Sequence, residues 1–253
     1  MLRNRIFSML LSVVASVIAS SSPAMADDAE WKDPASMGSR NPGFYVRNSI
    51  GANFLDSISL KDRSNGVDSS QGVSLDLDAG FAWGIDLGWR VSDLLSVEIS
   101  SGIMYNKIDS VSGTVTVGGT TVSGSTSLSG DFLQIPILAG IGFDIPLVRS
   151  PSSSESGGGV YLRLAASAGG LFVRGSLDDL GTIISAGSDN DFTWAYALTA
   201  AVEWEVGSGF LIGASYRYLG TGSMSFSAFG VPDLLSTSGV GNHQVMGTIS
   251  LTF

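Results

Sequence analysis

The closing stretch His243–Phe253 (HQVMGTISLTF) decides how the rest of the chain is read. Val245, Gly247, Ile249, Leu251 and Phe253 share one parity. Gln244, Thr248, Ser250 and Thr252 take the other, joined by Met246. An apolar residue at every second position is the period of a β-strand with two unlike environments. The stretch leaves open which face meets water.

Residues 73–91 answer that question. Their odd positions run Leu75, Leu77, Phe81, Trp83, Ile85, Leu87, Trp89 and Val91, whereas the even ones include Asp76, Asp78, Asp86 and Arg90. A sheet in water seldom exposes Trp83 and Trp89 while hiding Asp86 and Arg90. Lipid outside and a polar lumen inside fit the pattern; a soluble lipocalin-like barrel would reverse the faces. Composition agrees. Charged residues are 14%, well under the usual quarter, Gly numbers 33 and mean hydropathy is +0.30. Beyond the N-terminus, however, no apolar run approaches the roughly 18 residues of a spanning helix. The apolar residues are dispersed by alternation.

The N-terminus reads as a secretory signal, 1–26. Arg3 and Arg5 form its positive region, Ile6 to Ile18 its apolar core, and Ala24-Met25-Ala26 a small-x-small cleavage site. No Cys follows the core, so a lipoprotein anchor is not expected. Cleavage removes two of the 13 basic residues and none of the 23 acidic ones, leaving 11 − 23 = −12. That balance disfavours nucleic acid as a partner. With no Cys, the fold must hold through its hydrogen-bonded sheet rather than through disulfides.

Residues 27–42, polar with two prolines, read as a periplasmic lead-in, and 43–253 as a barrel of eight strands. The first strand is Gly43 to Phe54, with 55–72 as loop, and the second is Val73 to Val91. A turn at Ser92-Asp93-Leu94 leads into the third, Leu95 to about Tyr105. Gly118-Gly119 between TVTV and TTV signals a two-residue hairpin, so strands three and four continue as a ribbon above the membrane. Such a turn mismatches the parity of the two membrane strands. One bulge is therefore required, near Gly124 or Gly130. Strand four spans about Phe132 to Ile145 despite Pro136, strand five Val160 to about Arg174, strand six Asp191 to Val206, and strand seven Phe210 to about Tyr218. A loop over 220–242 precedes the closing strand. Short turns at one end and long loops at the other are the asymmetry of outer-membrane barrels. Aromatics gather at the strand ends as two girdles: Trp89, Trp204, Phe210 and Phe253 at the periplasmic rim, Phe54, Phe81, Tyr105, Phe192 and Tyr218 at the outer one.

The closing strand ending in Phe253, together with GFAWGIDLGWRVSD (80–93) and GASYRYLGTG (213–222), resembles the small eight-stranded outer-membrane barrel family of the OmpA membrane domain, OmpX and the opacity proteins. The resemblance implies an all-β, up-and-down antiparallel transmembrane β-barrel in the outer membrane of a Gram-negative bacterium. It also implies that Ile249, Leu251 and Phe253 are read by the barrel-assembly machinery, and that their strand pairs with the first to close the cylinder.

Inward parity collects one constellation: Arg47, Asp86, Arg90, Glu98, Arg163, Glu203, Glu205 and Arg217. An eight-stranded cylinder is only wide enough to be filled by side chains, so these residues read as a salt-bridge network plugging the lumen. The alternative is a gated ion pathway. The turn after Val91 sets Arg90 diagonal to Glu98, the pair expected to bond. Catalysis finds little support. The single His, His243, is the one place for a Ser–His site, and Val245 rather than a Ser stands two positions on. No cofactor or metal is expected, with Ca²⁺ on Asp178, Asp179, Asp189 and Asp191 of the third loop as a minor reading. Two functional classes follow: a structural or surface-interaction barrel whose loops meet an extracellular ligand, and a narrow channel or, less favoured, a lipid-modifying membrane enzyme.

Overall fold

The structure, a computed structural model, describes residues 42–62, 69–117, 120–149, 159–177, 187–207, 209–228, 231–237 and 239–253. The expected signal peptide, and the lead-in before Pro42, lie outside them. The strands are β1 (Gly43–Leu55), β2 (Ile58–Asp62), β3 (Ser69–Leu77), β4 (Gly80–Arg90), β5 (Leu95–Val117), β6 (Thr120–Arg149), β7 (Gly159–Leu177), β8 (Gly187–Gly207), β9 (Phe210–Thr221), β10 (Met224–Ala228), β11 (Val231–Thr237) and β12 (Gly241–Thr252).

Eight of them close a ring in the order β1-β4-β5-β6-β7-β8-β9-β12, every pairing antiparallel. The seam is β1 against β12, Tyr45 opposite Thr252 through Leu55 opposite Asn242, and the Phe253 amide donates to Phe44 O at 2.8 Å. A closed ladder leaves no backbone edge to be satisfied by solvent, which is what a lipid surround demands.

The remaining four strands extend the ring on the side away from Gly43 and Phe253. Leu55 faces Asn242, and beyond a short break Leu60 faces Thr237, five residues on in one strand and five back in the other. The β1–β4 register likewise resumes between β2 and β3, and that of β9–β12 between β10 and β11. The described residues therefore form eight long staves, four of them interrupted, at 56–57, 78–79, 222–223 and 239–240. This corrects the expectation that 55–72 and 220–242 are plain loop. Above the lipid no apolar surround forces a greasy face, so these segments are rich in Ser and Thr and the alternation that betrays a strand fades. Three asparagines serve the breaks from inside. Asn106 Nδ2 donates to Asp78 O at 2.9 Å and Asn53 O at 3.3 Å, and Asn53 Nδ2 donates to Asn106 Oδ1 at 2.6 Å and Asn242 Oδ1 at 3.2 Å. Carbonyls that lose strand partners are met by side-chain amides, as buried polar groups require.

The β5–β6 ribbon forms as expected, with Val117 opposite Thr120, and its bulge falls beside Gly130, between the pairs Ile108–Gly130 and Ser110–Ser127. Pro136 lies inside β6. The ladder to β5 passes from Ser101–Ile137 to Met104–Gln134 around it, whereas the ladder to β7 keeps Pro136 opposite Leu171. A missing N–H costs one side of the strand only. Two of the four acids of the minor calcium reading can be placed. Asp189 and Asp191 lie within β8, and both carboxylate oxygens of Asp191 accept backbone amides, from Phe192 at 2.7 Å and Ser225 at 2.8 Å. Asp178 and Asp179 lie outside the described residues.

Exposure is inside out. Ile99 is 60% exposed, Ile137 62% and Trp194 60%, while Arg163 is fully buried. Charges within and apolar side chains without make this a transmembrane β-barrel. Its interior has two tiers. The end near Gly43, Phe253 and the Val91–Leu95 turn is charged. Towards the far end Met104, Phe132, Leu171, Val173, Leu219 and Met224 pack an apolar core.

Candidate functional site

The charged tier is set by strand parity. On β1 the odd residues Tyr45, Arg47 and Ser49 point inward; on β4, Asp86 and Arg90; on β5, Ser96, Glu98 and Ser100. Asp144 of β6, Arg163 of β7, Glu203 of β8 and Arg217 of β9 complete it, each buried. Two contacts are direct cross-strand neighbours, Arg47 opposite Asp86 and Asp144 opposite Arg163. The other ion pairs join strands that are not ladder neighbours.

Arg163 is the hub. Its Nη1 donates to Asp144 Oδ1 at 2.8 Å and its Nη2 to the Tyr45 hydroxyl at 2.6 Å, and Nη2 also pairs with Glu98 Oε2. The Tyr45 hydroxyl in turn donates to Glu98 Oε2 at 2.7 Å. Arg47 Nε donates to Glu203 Oε1 at 2.8 Å, with Asp86 at 3.6 Å and Glu98 at 3.9 Å from Nη1. Arg217 Nη2 reaches Asp86 Oδ1 at 3.0 Å and its Nε donates to Thr199 Oγ1 at 3.2 Å. The guanidinium carbons of Arg47, Arg90 and Arg163 stand 5.5, 5.7 and 5.2 Å from the centroid of the Tyr45 ring, within cation–π range.

Four arginines (47, 90, 163, 217) thus face four carboxylates (Asp86, Glu98, Asp144, Glu203), so the tier is formally neutral. Buried charges are tolerable only when paired and hydrogen-bonded like this.

Seven of the eight inward residues expected from the sequence converge here. Glu205 stands apart, half-buried nearer the rim and accepting from the Tyr161 hydroxyl at 3.3 Å. Arg90 Nε stands 3.5 Å from Asp144 Oδ2, and Glu98 is engaged by Arg163, Arg47 and Tyr45. The hairpin register is the expected one, with Gly88 opposite Glu98 and Arg90 diagonal to it. These contacts come from strands beyond the hairpin. Asp144 and Tyr45 were missed as members, although both lie on the inward parity of their strands.

The aromatic residues occupy both rims. Trp89, Trp204 and Phe253 are exposed at the turn end, where Phe253 packs on Phe44 with ring centroids 6.1 Å apart. Phe81 and Phe192 are exposed toward the other end, and Phe54, Tyr105, Phe210 and Tyr218 are partly covered by neighbours. Ile249 and Leu251 point outward with Phe253 on the closing strand. His243 also faces outward, its Nδ1 2.6 Å from the Tyr216 hydroxyl and its Nε2 3.7 Å from Asp56 Oδ2.

No protein-family model and no curated protein matches the chain. Solved structures do. Neisserial surface protein A is 15% identical with a TM-score of 0.45, over 85% of this chain and 100% of that one. The outer-membrane protein OprG from Pseudomonas aeruginosa is 16% identical with a TM-score of 0.46, over 85% and 98%. The outer-membrane protease OmpT from Escherichia coli is 8% identical with a TM-score of 0.46, over 83% and 97%. None of these likenesses assigns an activity to the chain.

Proposed function

We propose that this protein is a non-enzymatic barrel of the Gram-negative outer membrane, exported by a cleaved signal peptide. Its lumen is sealed and its work is done at the envelope surface. The observation that carries the reading is the double closure of the interior. Arg163, Glu203 and Asp144 are at most 1% exposed within a neutral ionic tier, and an apolar tier lies toward the outer end. An ion crossing such a lumen would have to break buried pairs and then enter a space with nothing to replace its hydration shell.

Surface interaction is supported by the extension beyond the aromatic rim. There the β5–β6 ribbon and the β2–β3 and β10–β11 hairpins present Ser- and Thr-rich strand to the outside. Those hairpins are where an extracellular ligand would dock, and lipid and the assembly machinery are the remaining partners. Planar-bilayer recording of the purified full chain is the test. The expected result is silence across the working voltage range; steady openings would make the lumen a channel and reject the closed reading.

A further inference from the structure

The lipid-facing wall is not evenly ridged. A shallow apolar groove crosses β6, β7, β8 and β9. Its sides are Ile141, Phe143, Leu164 and Leu198, and Ala166 and Ala200 lie low in it. The residues follow the hydrogen-bonding row, Ile141 opposite Ala166, Ala166 opposite Leu198, and Leu198 opposite Tyr218. Four strands at the usual spacing give a run of roughly 14 Å, comparable to the greater part of a fatty-acyl chain.

One end of the groove is polar. It stops at Tyr216 and Tyr218, and the same row continues from Tyr218 to His243, whose ring lies 5.2 Å from that of Tyr218. The Tyr216 hydroxyl and His243 Nδ1 stand 2.6 Å apart in hydrogen-bond contact, which leaves Nε2 as the outer polar atom of the ring. That atom faces Asp56 Oδ2 across 3.7 Å. The gap is too wide for a direct hydrogen bond and suits an oxygen lodged against both groups. Gly241 keeps the place clear, because a Cβ there would fall 2.6 Å from Asp56 Oδ2 and 3.1 Å from the Tyr218 hydroxyl. Below this level the wall exposes Ile50, and just above it Ser57 and Ser59. The cluster therefore sits where the apolar belt gives way to polar surface.

We infer that this wall seats a single lipid, its acyl chain along the Ala166–Ala200 groove and a hydroxyl of its headgroup held between His243 and Asp56. A sugar or glycerol hydroxyl, which can both donate and accept, fits between a ring nitrogen and a carboxylate. The carboxylate of Asp56 disfavours a bare phosphate at the same point. The inference rests on the lipid-facing exterior and not on the closed lumen, so open-channel recordings would leave it standing.

The test titrates the refolded full chain in detergent micelles with 1-tetradecanoylglycerol, which has an acyl chain and free hydroxyls, and with methyl tetradecanoate, which has the chain alone. Native mass spectrometry counts the bound molecules. One glyceride per barrel is expected, about tenfold tighter than the ester from the added hydrogen bonds. Ala200→Phe, which fills the groove, removes binding of both probes. Asp56→Asn removes the preference for the glyceride and leaves ester binding in place. Equal binding by all three proteins overturns the inference, since that lipid is merely annular; so does a dimer that buries the groove and excludes lipid. The unmodified protein supplies a second reading. A nitroxide at the end of the glyceride acyl chain should broaden the resonances of Ala166 and Ala200 and spare Leu87 on the opposite wall, and uniform broadening rejects the site.

Discussion

The ring of Tyr45 fills the space that a side chain at Gly88 would need, a Cβ built there falling 2.2 Å from Tyr45 Cζ. The two residues are direct cross-strand neighbours, and Gly88 is in turn opposite Glu98. The ring lies over the bare backbone of β4 so that its hydroxyl reaches Glu98 two strands away. Gly88→Ala should therefore cost about 1–3 kcal/mol by overpacking. Gly124→Ala, with nothing within 4 Å of its Cβ, should be neutral or gain a few tenths. Urea titrations in vesicles would compare them, and equal responses would mean that the ring is free to move aside.

Arg163 and Glu98 should be strongly coupled. Removing either leaves a buried partner uncompensated, and breaking a buried pair costs about 3–5 kcal/mol. Arg163→Gln and Glu98→Gln combined should be clearly less harmful than the sum of the singles. Additive losses in that double-mutant cycle would show that Tyr45, Arg47 and Asp144 carry the network without this pair.

Phe253 should matter more for assembly than for the finished barrel. Its side chain is 74% exposed in the absence of lipid, and losing its contact with Phe44 forfeits about 1–3 kcal/mol at most. The ladder between β1 and β12 does not depend on that ring. Deleting Phe253 is expected to lower sharply the amount inserted in cells, while protein refolded in detergent keeps its heat-modifiable gel shift. Normal insertion in cells would refute the assembly role. Loss of the shift in refolded protein would make Phe253 a stability residue.

Much of the fold could be read from local pattern. Within the lipid zone each strand meets two opposite solvents, so Trp83 and Asp86, or Leu198 and Glu203, declare their faces through parity alone. Short turns then carry that parity from strand to strand, and the Val91–Leu95 turn places Gly88 opposite Glu98. The bulge beside Gly130 was legible for the same reason, because the two-residue hairpin and the membrane parity cannot both hold without it. The upper staves were not legible. Outside the lipid zone the outward face no longer has to be apolar: in Ile58–Asp62 (ISLKD) Ile58 is buried and Ser59 exposed, the reverse of the lipid-zone rule, over a run too short to stand out.

The sequence by itself determined which side chains enter the lumen, since inward or outward is a property of one strand and its period. Only the tertiary structure decided which of them meet. Glu98 on β5 finds Arg163 from β7, and Arg47 on β1 finds Glu203 from β8, because closing the ring sets the stagger of the strands and brings opposite walls within reach of a long side chain. Parity is local and survives in one dimension. Stagger and diameter belong to the closed cylinder and have no counterpart in any single strand.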